Sequence, residues 1–170
     1  MGLNNSELTL PRAKRITATA RIAAYLPETP DTVAANRDLD SKPYWHIEKA
    51  RIEGTRDVRA ELIVNGESVA NQMISADGRQ RDISFNAAIE KSSWVAIRIF
   101  PSSHTNPVFV TVDGKPIRPS RKSVEWCQQA VENCWEQKER FLKDDEIEEA
   151  KAAYDHARTV YSERLTESLN

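Results

Sequence analysis

Histidine and cysteine are scarce in this chain, and the few there are do not cluster. The three histidines, His46, His104 and His156, stand far apart in the sequence. No His-x-His, His-Glu-x-x-His or Cys-x-x-Cys spacing occurs, so the sequence offers no local cradle for a metal. The five glycines form neither a Gly-x-Gly-x-x-Gly fingerprint nor a P-loop. There is no Gly-x-Ser-x-Gly elbow. A catalytic set assembled from distant residues stays open, but the expectation is a chain that is not a complete enzyme and needs no cofactor. Cys127 and Cys134 lie seven positions apart on a predicted helix, where rise alone separates them by roughly 10 Å. A disulfide needs Cα atoms within about 7 Å, so two buried, unbridged thiols are expected.

Long apolar runs are also missing. Nothing approaches the ~20 residues of a spanning helix. Met1 to Ser6 has no charged-then-apolar pattern of a signal, so any export signal would have to lie upstream in a longer parent. Neither sign of charge dominates: 24 basic residues oppose 26 acidic ones, for a net charge of -2. This gives no general attraction to nucleic acid or to anionic membranes.

What the sequence does have is strand periodicity. Val58, Ala60, Leu62 and Val64 alternate with Arg59 and Glu61. Ile83, Phe85, Ala87 and Ile89 alternate with Asp82, Ser84 and Asn86. Val95, Ile97 and Ile99 alternate with Trp94, Ala96 and Arg98, which places Trp94 on the opposite face of its sheet. Ile16, Ala18, Ala20, Ile22 and Ala24 share one face, and Val108, Val110 and Val112 another. Asn65-Gly66, Asp77-Gly78 and Asp113-Gly114 are hairpin-turn pairs. About eight strands are expected, at 6–10, 15–26, 45–52, 57–65, 68–76, 80–89, 93–100 and 107–112. Short half-buried strands at this spacing point to an antiparallel, immunoglobulin-like β-sandwich over residues 1–119. Strand 45–52 is the least regular, because Ile47 and then Ala50 and Ile52 change parity, so a bulge or an edge is expected there. Residues 27–43, with three prolines, read as a long loop.

From residue 120 the period becomes helical. Val124, Cys127, Val131, Cys134 and Phe141 form one stripe, and Ile147, Ala150, Tyr154, Ala157, Tyr161 and Leu165 another. Ser120 or Ser123 can cap the first helix and Asp144 the second. A short connection predicts an antiparallel two-helix hairpin over residues 120–170.

Four places are candidates for binding or interface. Tyr44 and Trp45 bring aromatic rings to a strand start, unless that end simply dips into the core. His104 and Asn106 sit in a polar loop between two strong strands, whose side chains can equally satisfy their own backbone. Arg118, with Arg121 and Lys122, precedes a helix, as a docking cluster or a solvated turn. Trp126 and Trp135 add aromatic area to the first helix and are most simply core packing.

One set of segments resembles a known family. Ser92 to Phe100, the loop Ser102 to Pro107, Val108-Phe109-Val110, and Asp113-Gly114-Lys115-Pro116-Ile117-Arg118 are similar to the C-terminal region of CehA/McbA-type metallohydrolases of the PHP group. Ala50-Arg51-Ile52, Glu61 to Gly66, Glu125-Trp126-Cys127 and Cys134-Trp135 extend the similarity over roughly residues 44–165. In such proteins the metal-binding catalytic barrel lies upstream, and none of its motifs matches a position here. The resemblance implies a non-catalytic accessory region that packs on an upstream catalytic domain, shapes its cleft or joins copies of the chain. A stand-alone carbohydrate- or ligand-binding module is the competing expectation.

Overall fold

The computed structural model describes residues 6–118 and 120–168. Pro119, the expected end of the first region, lies outside them. The chain divides into two compact units, Met1–Ile117 and Arg118–Asn170, and each is described by itself.

Among the described residues, the first unit contains eight strands in two sheets. They are β1 (Glu7–Leu10), β2 (Lys14–Ile22), β3 (Asp57–Val64), β4 (Glu67–Ser75), β5 (Arg81–Ile89), β6 (Ser93–Phe100), β7 (Ser103–His104) and β8 (Val108–Val112). The larger sheet runs β1-β8-β6-β3-β4, with β7 also paired to β6, and the smaller sheet is β2-β5. Period-2 alternation gives each sheet one apolar face. Leu62, Ile74, Val95, Ile97, Ile99, Val110 and Val112 of the larger sheet join Ile83, Phe85, Ala87 and Ile89 of β5 in a single core. Ile16, Ala18, Ala20 and Ile22 of β2 pack against it but stay partly open.

The β3–β4 turn fixes the register. Asn65 and Gly66 both have positive φ (53° and 96°), as a two-residue turn matching strand twist requires. The Asn65 side chain then reaches across to β6. Its Nδ2 donates to Ser93 Oγ (3.0 Å), and its Oδ1 accepts from the Trp94 N–H (3.0 Å). At the same end of β6, one residue before Ser93, buried Ser92 accepts from the Val112 N–H (2.8 Å) and donates to the Lys115 carbonyl (2.7 Å).

Two strand expectations are corrected. β1 and β8 pair in parallel, so the set is not wholly antiparallel. Residues 45–52 form no strand. Tyr44–Lys49 is a 3₁₀ helix, and the broken parity noted above reflects a turn that points His46 inward. The ring nitrogens of buried His46 lie 3.3 Å from the Pro43 carbonyl and 3.1 Å from that of Asp38. β7, too short to show a period in the sequence, brings the described strands back to eight. Within 27–43, Thr32–Ala35 makes one helical turn, α1, capped by Asp31.

In the second unit α2 (Arg121–Lys138) and α3 (Ile147–Glu167) flank a short 3₁₀ turn, Glu139–Phe141. The helices touch through Gln128 and Ser162 (3.4 Å), Glu132 and Arg158 (2.8 Å), and Trp135 and Tyr154 (ring centroids 4.9 Å). As the position advances on α2 it recedes on α3. Ser120 caps α2, accepting from the Ser123 N–H (3.2 Å). Asp144 caps nothing: α3 starts at Ile147 behind Glu146, whose carboxylate accepts from the Lys143 N–H (3.1 Å). Neither helix has a fully buried residue. Among the described residues no helix is long and apolar enough to cross a membrane.

One carboxylate in the first unit titrates unusually. Asp77 Oδ1 accepts from the Arg79 N–H (2.9 Å), and both oxygens take the Arg81 guanidinium at 2.8 Å. The hydrogen bond from Arg81, then that from the Arg79 backbone, hold Asp77 well below the usual carboxylate range. The unfolded chain binds this proton more readily, so the pair stabilises the fold above the unfolded pKa of about 3.9 and stops doing so as pH falls through the lower folded value. Asp77→Asn is therefore expected to lower stability at pH 7 and to flatten the loss below about pH 4. Urea unfolding at a series of pH values measures both. Parallel acid limbs for the variant and the original chain would contradict the assignment.

Candidate functional site

On β6, the side chains that avoid the core are Trp94, Ala96, Arg98 and Phe100. Register places each beside a defined neighbour. Trp94 lies opposite Phe109 of β8, Ala96 opposite Ile63, and Arg98 between Glu61 of β3 and His104 of β7. Trp94, Ala96 and Arg98 border a cleft of about 510 Å³ on the larger sheet. Ile63, Gly66 and Ala96 line it, and Trp94, Phe109, Pro107, Thr105, His104 and Arg98 complete its walls. The volume lies in the range of sites that hold a small molecule or a short peptide segment.

The polar side of the cleft is held in place. Arg98 Nε and Nη2 both lie 2.7 Å from Glu61 Oε2, and the guanidinium stands 5.4 Å from the Phe100 ring centroid. Glu61 is only 4% exposed although it points away from the shared core. Arg59, the next outward residue of β3, pairs with Glu53. The Thr105 N–H donates to the Ile97 carbonyl (2.8 Å), and the Ile97 N–H donates to Thr105 Oγ1 (3.1 Å). The loop is thereby stitched to β6. His104 Nδ1 lies 2.9 Å from the Thr105 carbonyl. A carbonyl only accepts, so Nδ1 carries the proton and Nε2 of the neutral ring is left as an acceptor. Chemically the cleft offers two aromatic faces for a flat or apolar group, with a fixed cation and an imidazole at its edge.

The expected site residues do not converge. His104 belongs to the cleft, but Asn106 lines a different hollow of about 320 Å³, with Leu8 and with Ile16, Ala18 and Ala20 of β2. Tyr44 and Trp45 lie exposed on the 3₁₀ turn, Trp45 at 80%, and line none of these hollows. Arg118 Nε bonds Glu167 Oε2 (2.8 Å), and Arg121 pairs with Glu125 within α2 (3.0 Å). Trp126 and Trp135 part company. Trp135 packs on Tyr154, whereas Trp126 is 72% exposed beside an α2–α3 groove of about 350 Å³. Core packing of Trp126 is thus corrected, because two helices cover only one face of each. The thiols are corrected too. Cys127 is half-buried, and Cys134 is exposed with its Sγ 3.0 Å from the Tyr154 hydroxyl. That contact, with burial adding to it, raises the Tyr154 pKa. Arg98, Phe109 and Pro107 were not singled out from the sequence, although Arg98 shares the parity of Trp94.

Among the described residues no group of three or more His, Cys, Asp or Glu side chains is placed to hold a metal. No family model, no curated protein and no solved structure matches this chain.

The Glu61–Arg98 pair yields a double-mutant test. Arg98→Ala leaves a covered carboxylate without its partner, and an unsatisfied buried polar group costs about 1–3 kcal/mol. Arg98→Ala combined with Glu61→Gln should recover part of that loss, measured by urea denaturation. Equal or greater loss in the double variant would show that Glu61 does not depend on Arg98.

Proposed function

We propose that this chain is a non-catalytic accessory region whose cleft on the larger sheet receives a segment of a partner, as the resemblance to the C-terminal part of PHP-group metallohydrolases implies. The carrying observation is the cleft itself, which sets Trp94 and Phe109 beside an arginine already held by Glu61. Preorganised side chains lose little freedom on binding, so such a surface suits a packed contact. The strand order supports an immunoglobulin-like sandwich. β8-β6-β3-β4 against β2-β5 is the order of strands G-F-C-C′ against B-E in that fold. The receding contacts of α2 and α3 support an antiparallel hairpin as the tail. In this reading the partner is an upstream catalytic domain.

The reading is tested by reading the frame upstream of Met1 and expressing its product separately from residues 1–170. The two should co-purify, and Phe109→Lys should abolish this without loss of the far-ultraviolet strand signal. A missing upstream domain, or association indifferent to Phe109→Lys, sinks the proposal. The exposed Trp45 favours one alternative, a carbohydrate-binding module. Retention on neutral polysaccharides that is lost with Trp45→Ala would select it instead.

We further infer that the sandwich and the tail fold separately. A chain ending at residue 119 should keep its strand signal and a cooperative melt, with only the helical signal lost. Loss of the strand signal on truncation would place the tail within the core.

A further inference from the structure

The larger sheet ends at β1 and β4. β1 has only four residues, but β4 has nine. An open edge presents unpaired backbone N–H and C=O groups, and folded chains usually blunt it with charge, proline or brevity. β2, an edge of the smaller sheet, carries Lys14, Arg15 and Arg21. β4 is guarded only near its start, by Glu67 and a register break. From Ser68 to Ser75 it reads Ser-Val-Ala-Asn-Gln-Met-Ile-Ser, with no charge, proline or glycine. Its inner side chains, Ala70 and Ile74, join the core, while Val69 and Met73 stand 51% and 47% exposed. The register with β3 passes from Leu62↔Ala70 to Ile63↔Ser68, so Val69 is a bulge residue without a partner on β3.

We propose that β4 is a self-pairing edge, on which a second copy of this chain adds its own β4 antiparallel about a two-fold axis at Asn71. The pattern of side chains is self-complementary at that axis, as an isologous contact requires. Val69 falls opposite Met73 of the second copy, and Met73 opposite its Val69. The two Asn71 amides meet on the axis. Glu67, the one charge on the strand, faces Ser75 rather than another carboxylate. Moving the axis to Ala70 sets Met73 against Glu67, and moving it to Gln72 sets Met73 against Asn71. Both shifts lose the apolar pair. No residue of β4 itself lines the cleft, so this inference does not rest on what the cleft receives.

The test uses the full chain with Cys127→Ser and Cys134→Ser, so that the two native thiols cannot interfere. Directly opposed antiparallel residues have Cα atoms about 4.5–5.5 Å apart, within disulfide reach. Asn71→Cys in this background should therefore oxidise to a covalent dimer, and Thr17→Cys on exposed β2 should not. Separately, the unmodified chain should sediment as a monomer–dimer mixture at about 0.1 mM, the weak regime expected of a small interface. Met73→Lys should weaken that association by about tenfold or more, because the two-fold axis counts the change twice. Monomer alone at this concentration, a dimer indifferent to Met73→Lys, or cross-linking at position 71 no greater than at 17 would each overturn the proposal. If Met73→Lys fails to fold, the cross-link decides alone.

Discussion

Strand β6 has to present two unlike faces at once, and the rest of the first unit depends on its register. Val95, Ile97 and Ile99 complete the core, while Trp94, Ala96 and Arg98 build the cleft from the same stretch of backbone. A slip of one residue would turn Arg98 into the core and Ile97 outward. Two side chains outside the strand guard against this. Asn65, held at positive φ by its turn, brackets Trp94 by accepting from its N–H while its own N–H donates to the Trp94 carbonyl (3.0 Å each). Ser92 ties the start of β6 to the end of β8. The turn pair Asn65-Gly66 therefore acts twice, reversing the chain and setting the neighbouring strand.

The strands were legible where burial is one-sided. β5 and β6 alternate cleanly, because one face joins the core and the other does not, whereas β3 is covered on both faces from Ala60 to Ile63. Residues 44–49 were misread because three ring residues in a row resemble a strand start, while what decides their shape is non-local. His46 is placed by the carbonyls of Pro43 and Asp38, and no period records such contacts. The parallel β1–β8 pair was hidden for a similar reason, since alternation gives a strand's faces but not the direction of its neighbour. The cleft was half legible. Trp94 could be assigned to the outer face by parity alone. Bringing it beside Phe109 needed the knowledge that β8 follows β6 in the sheet, and bringing Arg98 beside His104 needed β7.

The second unit shows a different limit of periodicity. The stripe on α2 is real: Cys127, Val131 and Cys134 line the groove that Tyr154, Ala157 and Tyr161 close from α3. A stripe gives direction, not sufficiency. Two helices in contact leave the flanks of each uncovered, and Trp126, one position before Cys127, falls on such a flank. The contacts that set the pairing of the helices are largely polar and at their seam. Arg158 spans Glu132 on α2 and Asp155 on its own helix, and its hydrogen bonds with Glu132 hold that carboxylate below its usual range. Few apolar contacts are needed to specify such a pairing, so the tail can be ordered without being well buried.

The outward face of the larger sheet is the more telling surface, because it does not behave as a solvated face. A β-sheet exposed on one side ordinarily turns polar groups fully to water. Here Ile63 and Glu61 are both buried, on the side away from the shared core. A carboxylate covered to that extent is tolerated only when its charge is met, and Arg98 meets it with two N–H groups on one oxygen. The same contact, with Phe100 behind the guanidinium, fixes where the arginine can point. The cation at the cleft edge is therefore part of a layer built over the sheet rather than a mobile surface charge. Such a layer would lower the entropy lost by a group that entered the cleft, which supports the proposed contact through this face over one through the exposed Tyr44 and Trp45.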